Sequence, residues 1–389
     1  MTDLSGRVQL RKFVVPEIVF GLDSRHLASQ YARNLGARKI LIVTDERIQG
    51  AGWTGDVEET LKDARIRYTI FSNVTPNPRT EEVMEGVDIF SKEKCDSLLA
   101  IGGGSVIDCA KGIGIVISNG GEITDYEGAD RIARPIPPII CIPTTAGTAA
   151  DISQFAVFMD VERKLKFCVI SKYLVPDVSL VDPVATTTMS PRLTAETGLD
   201  ALSHAIEAFV STGSSPLTDL HAREAIKIVS KYLPLAVENG NDLEVRSKMM
   251  LGSLHAGIAF SNANLGAVHA ISHSLGGLLD LPHGECNAIL LEHVVAYNFE
   301  SSPDRYEDIA RAMGINVDNL YYPEKKNALI NALAELRHRV NIRQKLRNLG
   351  VRKADIPRLA EMAVRDPCMM TNPRRLQQYD VEVIFERAL

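Results

Sequence analysis

The sequence has no apolar run that reaches the roughly 18 residues of a membrane-spanning helix, so we expect no membrane partner. Its first residues, Met1 to Arg7, lack the apolar core of a secretory signal peptide. The six cysteines are scattered, and none forms a Cys-x-x-Cys pair. This pattern argues against a disulfide framework and favours a cytoplasmic protein with reduced thiols.

The sequence also has no excess of positive charge. Its 43 lysine and arginine residues face 49 acidic residues, for a net charge of −6. That balance gives no electrostatic reason to expect nucleic acid as a partner. The chain of 389 residues is 45% hydrophobic and 24% charged, which is typical of a globular protein of about two domains.

The first half of the chain alternates short apolar segments with helical periodicity. Strands are predicted at 39–44, 67–71, 97–101 and 138–142, and helices at 24–35, 57–64, 79–93 and 105–117. Residues 11–21 are interrupted by Pro16 and predict two short edge strands. The alternation predicts an α/β domain with a parallel sheet and crossover helices over residues 1–185. From Pro191 the period becomes helical, which predicts an all-α domain over residues 186–389.

A glycine-rich loop, Gly102-Gly103-Gly104-Ser105, falls between a buried strand and a helix. Glycines let a ligand approach the backbone, and the helix N-terminus offers N–H groups to phosphate. The loop matches neither the Gly-x-Gly-x-x-Gly fingerprint nor the P-loop. A tight turn that binds no ligand is the alternative interpretation.

Two further loops follow predicted strands and lie where ligands of such sheets bind. Pro143-Thr-Thr-Ala-Gly-Thr148 offers hydroxyl donors to the same phosphates, although it also fits a capped turn. Asp45 ends the first long strand and could bind ribose hydroxyls, which favours NAD over NADP. A simple helix N-cap is an equally good interpretation of Asp45.

Histidines in the second half suggest a metal site. Asp200 and His204 have helical i, i+4 spacing, as do His269 and His273, and all four lie among apolar residues. His283 follows Pro282, and we expect it in a turn. One carboxylate and several imidazoles suit a buried divalent metal, although buried histidines are often only core residues. Spacing alone leaves open whether His269 or His273 binds the metal.

Taken in order, these motifs resemble the iron-containing, group III alcohol dehydrogenase family over essentially the whole chain. The resemblance is carried by Leu41–Asp45, Pro76–Pro78, Gly102–Asp108, Asp125–Gly128, Pro143–Thr148, Asp200–Ala208, Gly266–Asn287 and Thr371–Arg374. It implies a dehydroquinate synthase-like architecture with the active site in a cleft between two domains. It also implies a homo-oligomer, a dimer or larger.

The resemblance implies the following site residues. The metal ligands are Asp200, His204, His269 and His283, which assigns His269 to the metal, and the expected ion is Fe(II), with Zn, Mn, Co or Ni possible. His273 becomes the catalytic candidate near the nicotinamide and the substrate. The NAD(H) contacts are Asp45, Asn77, Gly103, Gly104, Ser105, Asp108, Thr144, Thr145, Thr148 and Lys166.

The implied function is hydride transfer between NAD(H) and a small primary alcohol or aldehyde. A metal polarises the substrate oxygen, and His273 relays a proton. The alternatives are a glycerol- or diol-type dehydrogenase, a dehydroquinate synthase, a metal-dependent hydrolase whose glycine loop is merely structural, and an inactive protein with a structural metal. A synthase needs a basic cluster for its anionic substrate, and the helix around Asp200 has none.

One segment departs from the family pattern. The family loop usually continues as Gly-Ser-Glu after its Ala-Gly-Thr, whereas this chain has Ala149-Ala150-Asp151. The change removes a flexible residue and a hydroxyl beside the expected cofactor. We therefore expect altered cofactor affinity or pocket shape, but not loss of activity, because the metal ligands are intact.

Overall fold

The computed structural model describes residues 12–389. The predictions for the N-terminal seven residues, and the first residue of the predicted edge strands, lie outside that range. The chain divides into two compact units. The α/β unit comprises Val15–Ser190 and Gly240–Met250, and the helical unit comprises Pro191–Asn239, Leu251–Leu389 and residues 12–14.

The α/β unit contains strands that alternate with helices along the chain. The strands are β1 (Glu17–Phe20), β2 (Lys39–Val43), β3 (Arg67–Phe71), β4 (Ser97–Gly102), β5 (Gly128–Ala129), β6 (Ile139–Pro143), β7 (Phe155–Asp160), β8 (Leu165–Ile170) and β9 (Val178–Val181). The helices are α1 (Ala28–Asn34), α2 (Glu46–Gly50), α3 (Trp53–Asp63), α4 (Thr80–Lys92) and α5 (Gly104–Asn119).

Six of these strands form one parallel sheet in the order β1-β9-β6-β4-β2-β3. A smaller sheet has the order β5-β8-β7, in which β7 and β8 are antiparallel. The prediction of a parallel sheet with crossover helices is confirmed. In its register Gly102 pairs with Pro143, so the glycine loop and the threonine loop leave the sheet side by side.

The strand β2 shows why the central strands are continuously apolar. Its side chains alternate between faces, so Leu41 and Val43 enter one core cluster while Ile40 and Ile42 enter the other. Helices cover both faces, and a strand buried on both sides has no polar position to alternate with. The edge of the sheet was predicted less well, because within residues 12–21 only β1 forms where two strands were expected. The short helix α2 was not predicted.

From Pro191 the chain is helical, as the period predicted. The helices are α6 (Pro191–Val210), α7 (Pro216–Glu238), α8 (Leu243–Ala263), α9 (Ala267–Leu279), α10 (His283–Asn298), α11 (Pro303–Ala312), α12 (Tyr322–Arg339), α13 (Ile356–Arg365) and α14 (Gln378–Ala388). Ser215 caps α7 by accepting from the Thr218 amide, and Pro216 is the first helical residue. Gly198 on α6 lets Leu233 of α7 pack against the helix backbone, which brings these two helices together.

Candidate functional site

Three helices of the helical unit carry the residues predicted to bind metal. Asp200 and His204 lie one turn apart on α6, and each is at most 4% exposed. His269 lies on α9 and is also buried. His283 is the first residue of α10, so the expectation that it lies in a turn is wrong. The connection between α9 and α10 ends one residue earlier, at Pro282, which occupies the N-cap position of α10.

The imidazole rings of the other three residues approach one carboxylate oxygen of Asp200. Asp200 Oδ1 lies 3.4 Å from His269 Nε2, 3.8 Å from His283 Nε2 and 3.9 Å from His204 Nε2. Ligands of a tetrahedral metal with bonds of about 2.0–2.2 Å stand roughly 3.3–3.6 Å apart. The three distances from Asp200 Oδ1 therefore lie within a few tenths of an ångström of that spacing, and Asp200, His204 and His269 form a buried group that could hold a metal ion.

The charges of this cluster are coupled. Burial alone raises the pKa of Asp200, but the nearby imidazoles of His204, His269 and His283 outweigh it and lower that pKa. Burial alone lowers the pKa of His269, but Glu207 and Asp200 raise it to about 9. The cluster therefore holds protons on imidazole nitrogen, and a metal that binds there must displace them.

Glu207 supports the cluster and was not predicted. Its Oε2 accepts from His269 Nδ1 at 2.5 Å, and its Oε1 accepts from the Val268 amide at 2.6 Å. A carboxylate can only accept, so Nδ1 of His269 carries a proton, and Nε2, which faces Asp200, is the nitrogen that would have to release its proton to a metal. The available signal was spacing, because Glu207 follows Asp200 by two helical turns on α6.

Asn287 is a second residue that sequence reasoning missed. It lies on α10, one turn after His283. Its Nδ2 stands 2.7 Å from Asp200 Oδ1, 3.1 Å from His269 Nε2 and 3.2 Å from His283 Nε2. The bond to Asp200 fixes that carboxylate, and the i, i+4 relation to His283 was the signal in the sequence.

His273, the catalytic candidate, has a different partner from His269. Its Nδ1 donates to Asp366 Oδ2 at 2.8 Å, although the two residues are 93 positions apart. Because the carboxylate accepts at Nδ1, Nε2 is the nitrogen that can take up a proton. The ring also stacks on His283, with centroids 5.3 Å apart. Asp366 lies between α13 and α14, and nothing local in the sequence pairs it with His273.

The α/β unit holds all ten residues predicted to contact NAD(H). Gly103 is the N-cap of α5, and Gly104 and Ser105 begin that helix. The Thr144 amide donates to Gly102 O at 3.0 Å. A Cβ on Gly104 would stand 2.7 Å from Thr148 Oγ1, so the two predicted phosphate loops pack directly against each other.

The remaining predicted cofactor residues form small local clusters. Asp45 caps α2 by accepting from the Arg47 and Ile48 amides at 2.8 and 3.0 Å, so the N-cap interpretation is correct. Both bonds use Oδ1. Lys166 Nζ donates to Asn77 Oδ1 at 2.9 Å, which brings those two residues together.

Asp108 stands one turn into α5, after the glycine loop. Its Oδ2 accepts from the Val157 amide at 3.2 Å. Loss of hydration raises the pKa of Asp108 to about 7, although Lys111 and Lys166 oppose the shift. Its charge therefore changes near neutral pH.

Two further sequence-based expectations concern the cysteines and membrane helices of the chain. All six cysteines are buried and free, as the scattered pattern predicted. Within residues 12–389, none of the helices combines the length and apolarity needed to cross a bilayer.

Comparison with known proteins adds an independent finding. The family model "Iron-containing alcohol dehydrogenase" matches residues 16–183, and "Fe-containing alcohol dehydrogenase family, C-terminal" matches residues 194–389. A 1,3-propanediol dehydrogenase of Citrobacter freundii is 40% identical over 97% of this chain and 98% of its own length. An NAD-dependent methanol dehydrogenase of Bacillus methanolicus is 40% identical over 97% of this chain and 99% of its own. The crystal structure of a 1,3-propanediol oxidoreductase superimposes with a TM-score of 0.95 at 39% identity, covering 98% of this chain and all of the other.

Proposed function

The chain belongs to the iron-containing alcohol dehydrogenase family, and from that premise we propose that it transfers hydride between NAD(H) and a small primary alcohol or aldehyde. We propose Asp200, His204, His269 and His283 as the ligands of its metal. The observation that carries this assignment is the approach of three imidazole Nε2 atoms to one Asp200 oxygen, at 3.4–3.9 Å.

These residues would hold a divalent cation, Fe(II) in the family and Zn, Mn, Co or Ni by ligand chemistry, which would polarise the substrate oxygen. One carboxylate and three neutral imidazoles leave a net charge of about +1 on such a site. That charge favours an alkoxide over a neutral alcohol. Glu207 keeps the Nδ1 proton on His269, so that Nε2 remains a lone-pair donor.

His273 is the proposed proton carrier. In oxidation, bound NAD would take up hydride from the alcohol carbon, and His273 Nε2 would accept the hydroxyl proton through water or ribose hydroxyls. In aldehyde reduction both transfers reverse. Asp366 accepts from Nδ1–H, so Nε2 is the nitrogen that exchanges a proton, and the carboxylate stabilises the positive charge that the ring then acquires.

The cofactor preference follows from Asp45. One of its carboxylate oxygens caps α2, and we assign the other to the ribose hydroxyls. A 2′-phosphate meets a negative charge there, so NAD(H) binds in preference to NADP(H).

The substrate class is supported by the residues beside the ligands. Phe260 stacks on His204 with ring centroids 4.3 Å apart, so an apolar ring lies directly beside a proposed metal ligand. Apolar surroundings of this kind favour a short alkyl chain over a fully hydroxylated one. The relatives named above act, by name, on 1,3-propanediol and methanol. A diol-type dehydrogenase is therefore the second candidate, and turnover of 1-propanol, 1,3-propanediol and glycerol separates the two.

The test is a His269→Ala variant, with His338→Ala on the exposed face of α12 as the matched control. We expect His269→Ala to lose its metal and its NADH-dependent aldehyde reduction together, while His338→Ala keeps both. Metal analysis of anaerobically purified protein and an aldehyde panel measure the two quantities. Retention of metal and turnover by His269→Ala would show the ligand assignment to be wrong.

Two supporting expectations concern the whole protein. NAD should raise the melting temperature, which a metal-dependent hydrolase with a structural glycine loop does not predict. A homo-oligomer, a dimer or larger, is expected from the family resemblance, and light scattering of the purified protein measures its mass. The cytoplasmic location remains a prediction, which cell fractionation tests.

A further inference from the structure

Lys111 is a fully buried lysine on α5, two helical turns after Gly104. Its ammonium group donates to three backbone carbonyl oxygens: Ala150 at 2.6 Å, Ser153 at 2.8 Å and Phe155 at 2.8 Å. A lysine ammonium carries three N–H groups, so these bonds use all of them. All three acceptors lie on one short segment, residues 150–155.

A buried charge is costly and needs an explanation. The nearby carboxylates are engaged elsewhere, because Asp108 accepts from the Val157 amide and Asp151 accepts from Ser179 Oγ at 2.5 Å. They offset the charge of Lys111 only at a distance. The direct partners of the ammonium group are main-chain carbonyls, so its hydrogen bonds stabilise the backbone conformation of residues 150–155.

The segment that Lys111 holds continues directly from the threonine loop. Residues 150–155 join Thr148 to the start of β7. The same helix therefore contacts this stretch twice. Thr148 packs on Gly104 at the first turn of α5, and Lys111 binds the following carbonyls two turns later.

Ala149, between these two contacts, has a left-handed backbone with φ of +48°. That conformation is unfavourable for alanine and easy for glycine. A strained residue keeps its conformation only where its surroundings impose it. Thr148 is fixed on one side, and the bond from Lys111 to Ala150 O fixes the other.

We propose that Lys111 is a positioning residue for dinucleotide binding, which holds the Thr144–Thr148 loop in its cofactor-binding conformation through the carbonyls of residues 150–155. It touches neither the cofactor nor the metal in this role. The inference rests on the proposed function for one point, the assignment of the threonine loop to the dinucleotide phosphates.

The test compares Lys111→Met, which keeps the apolar stem and removes the ammonium, with Ile113→Ala as matched control. Ile113 lies on the same helix and packs beside Gly86 of α4. NADH affinity is measured by fluorescence titration, separately from turnover. If the loop then spends only about a tenth of its time in the binding conformation, the Kd for NADH rises about tenfold.

We expect Lys111→Met to raise the Kd and the KM for NADH about tenfold, with kcat at saturating NADH within about twofold of wild type. Its metal content should be unchanged. Ile113→Ala should lower the melting temperature without changing the Kd for NADH. Lys111→Gln, which keeps amide donors but no charge, should give an intermediate Kd, and it provides the same test if Lys111→Met does not fold.

The inference is overturned if both Lys111 variants bind NADH as tightly as wild type. It is also overturned if Ile113→Ala raises the Kd as much as they do, because general destabilisation then explains the effect. Failure of the proposed function looks different, since wild-type protein itself would then bind no NADH.

Discussion

Glu207 binds two consecutive groups of α9 with one carboxylate, the ring nitrogen of His269 at 2.5 Å and the backbone amide of Val268 at 2.6 Å. It fixes both the orientation of the imidazole and the nitrogen that carries its proton. Partners of this kind typically account for about 10- to 100-fold in metal affinity.

Replacing Glu207 with Gln should therefore weaken metal binding by about 10- to 100-fold. The amide is uncharged, so it polarises the His269 ring less and makes Nε2 a weaker metal ligand. In addition, its NH2 group cannot accept the Val268 N–H as the second carboxylate oxygen does. Competition with a chelator of known affinity measures the change. Glu196→Gln is the control, since Glu196 lies on the same helix and pairs with the exposed Arg192. Equal metal affinity in wild type and Glu207→Gln would contradict the prediction.

Replacing Asp366 with Asn should reduce kcat about 100-fold, a typical contribution of a proton-transfer residue, and leave the metal content unchanged. Burial alone raises the pKa of Asp366, but His273 outweighs it and keeps the carboxylate ionised. An amide can donate to Nδ1 as well as accept from it, which permits the wrong tautomer of His273. The pH profile of kcat/KM should change shape in this variant. Asp318→Asn, at a 69% exposed side chain, is the control and should keep the wild-type profile.

Replacing Gly104 with Ala should weaken NADH binding by about tenfold or more. The added methyl group stands 2.7 Å from both Cγ2 and Oγ1 of Thr148, so the threonine loop must move away from the glycine loop. Gly55→Ala on α3 is the matched control, because nothing lies within 4 Å of the position of its Cβ. Titration with NADH measures both variants, and an unchanged Kd in Gly104→Ala would refute the close packing of the two loops.

Asp108 should make stability depend on pH. Loss of hydration raises its pKa from an ordinary 3.8 to about 7, so the folded state binds the proton more tightly than the unfolded state does. The stability that the bound proton contributes is complete below about pH 4 and is lost as the pH rises towards 7. The amide of Asp108→Asn does not titrate, so the variant should not lose stability in this way as the pH rises.

The melting temperature of Asp108→Asn, relative to wild type, should therefore rise between pH 5 and pH 8. We expect a gain on the order of 1 kcal/mol, or about 2 °C. Thermal unfolding at the two pH values measures it, with Asp318→Asn as the control that follows wild type. A difference that stays constant or falls with pH would contradict a pKa near 7 for Asp108.

Much of the fold could be predicted because it depends on local periodicity. The strand β2 is apolar at every position, which indicates burial on both faces, and the helical period after Pro191 indicates a different architecture. The edge was harder to predict, because pairing with β9 decides where β1 ends and no local pattern records that partner.

The sequence by itself determined which residue types could form the site, and helical spacing placed Asp200 beside His204 and His269 beside His273. Only the tertiary structure decided which imidazole of the second pair approaches Asp200, since packing sets the rotation of α9: His269 Nε2 lies 3.4 Å from Asp200, whereas His273 bonds to Asp366. Helical spacing could have pointed to Glu207 and Asn287 as candidates, but their contacts on other helices, and those of Lys111 with residues 150–155, depend on the tertiary structure. A side chain's spacing along one helix is a local property, but the atoms that it meets belong to segments far away in the chain.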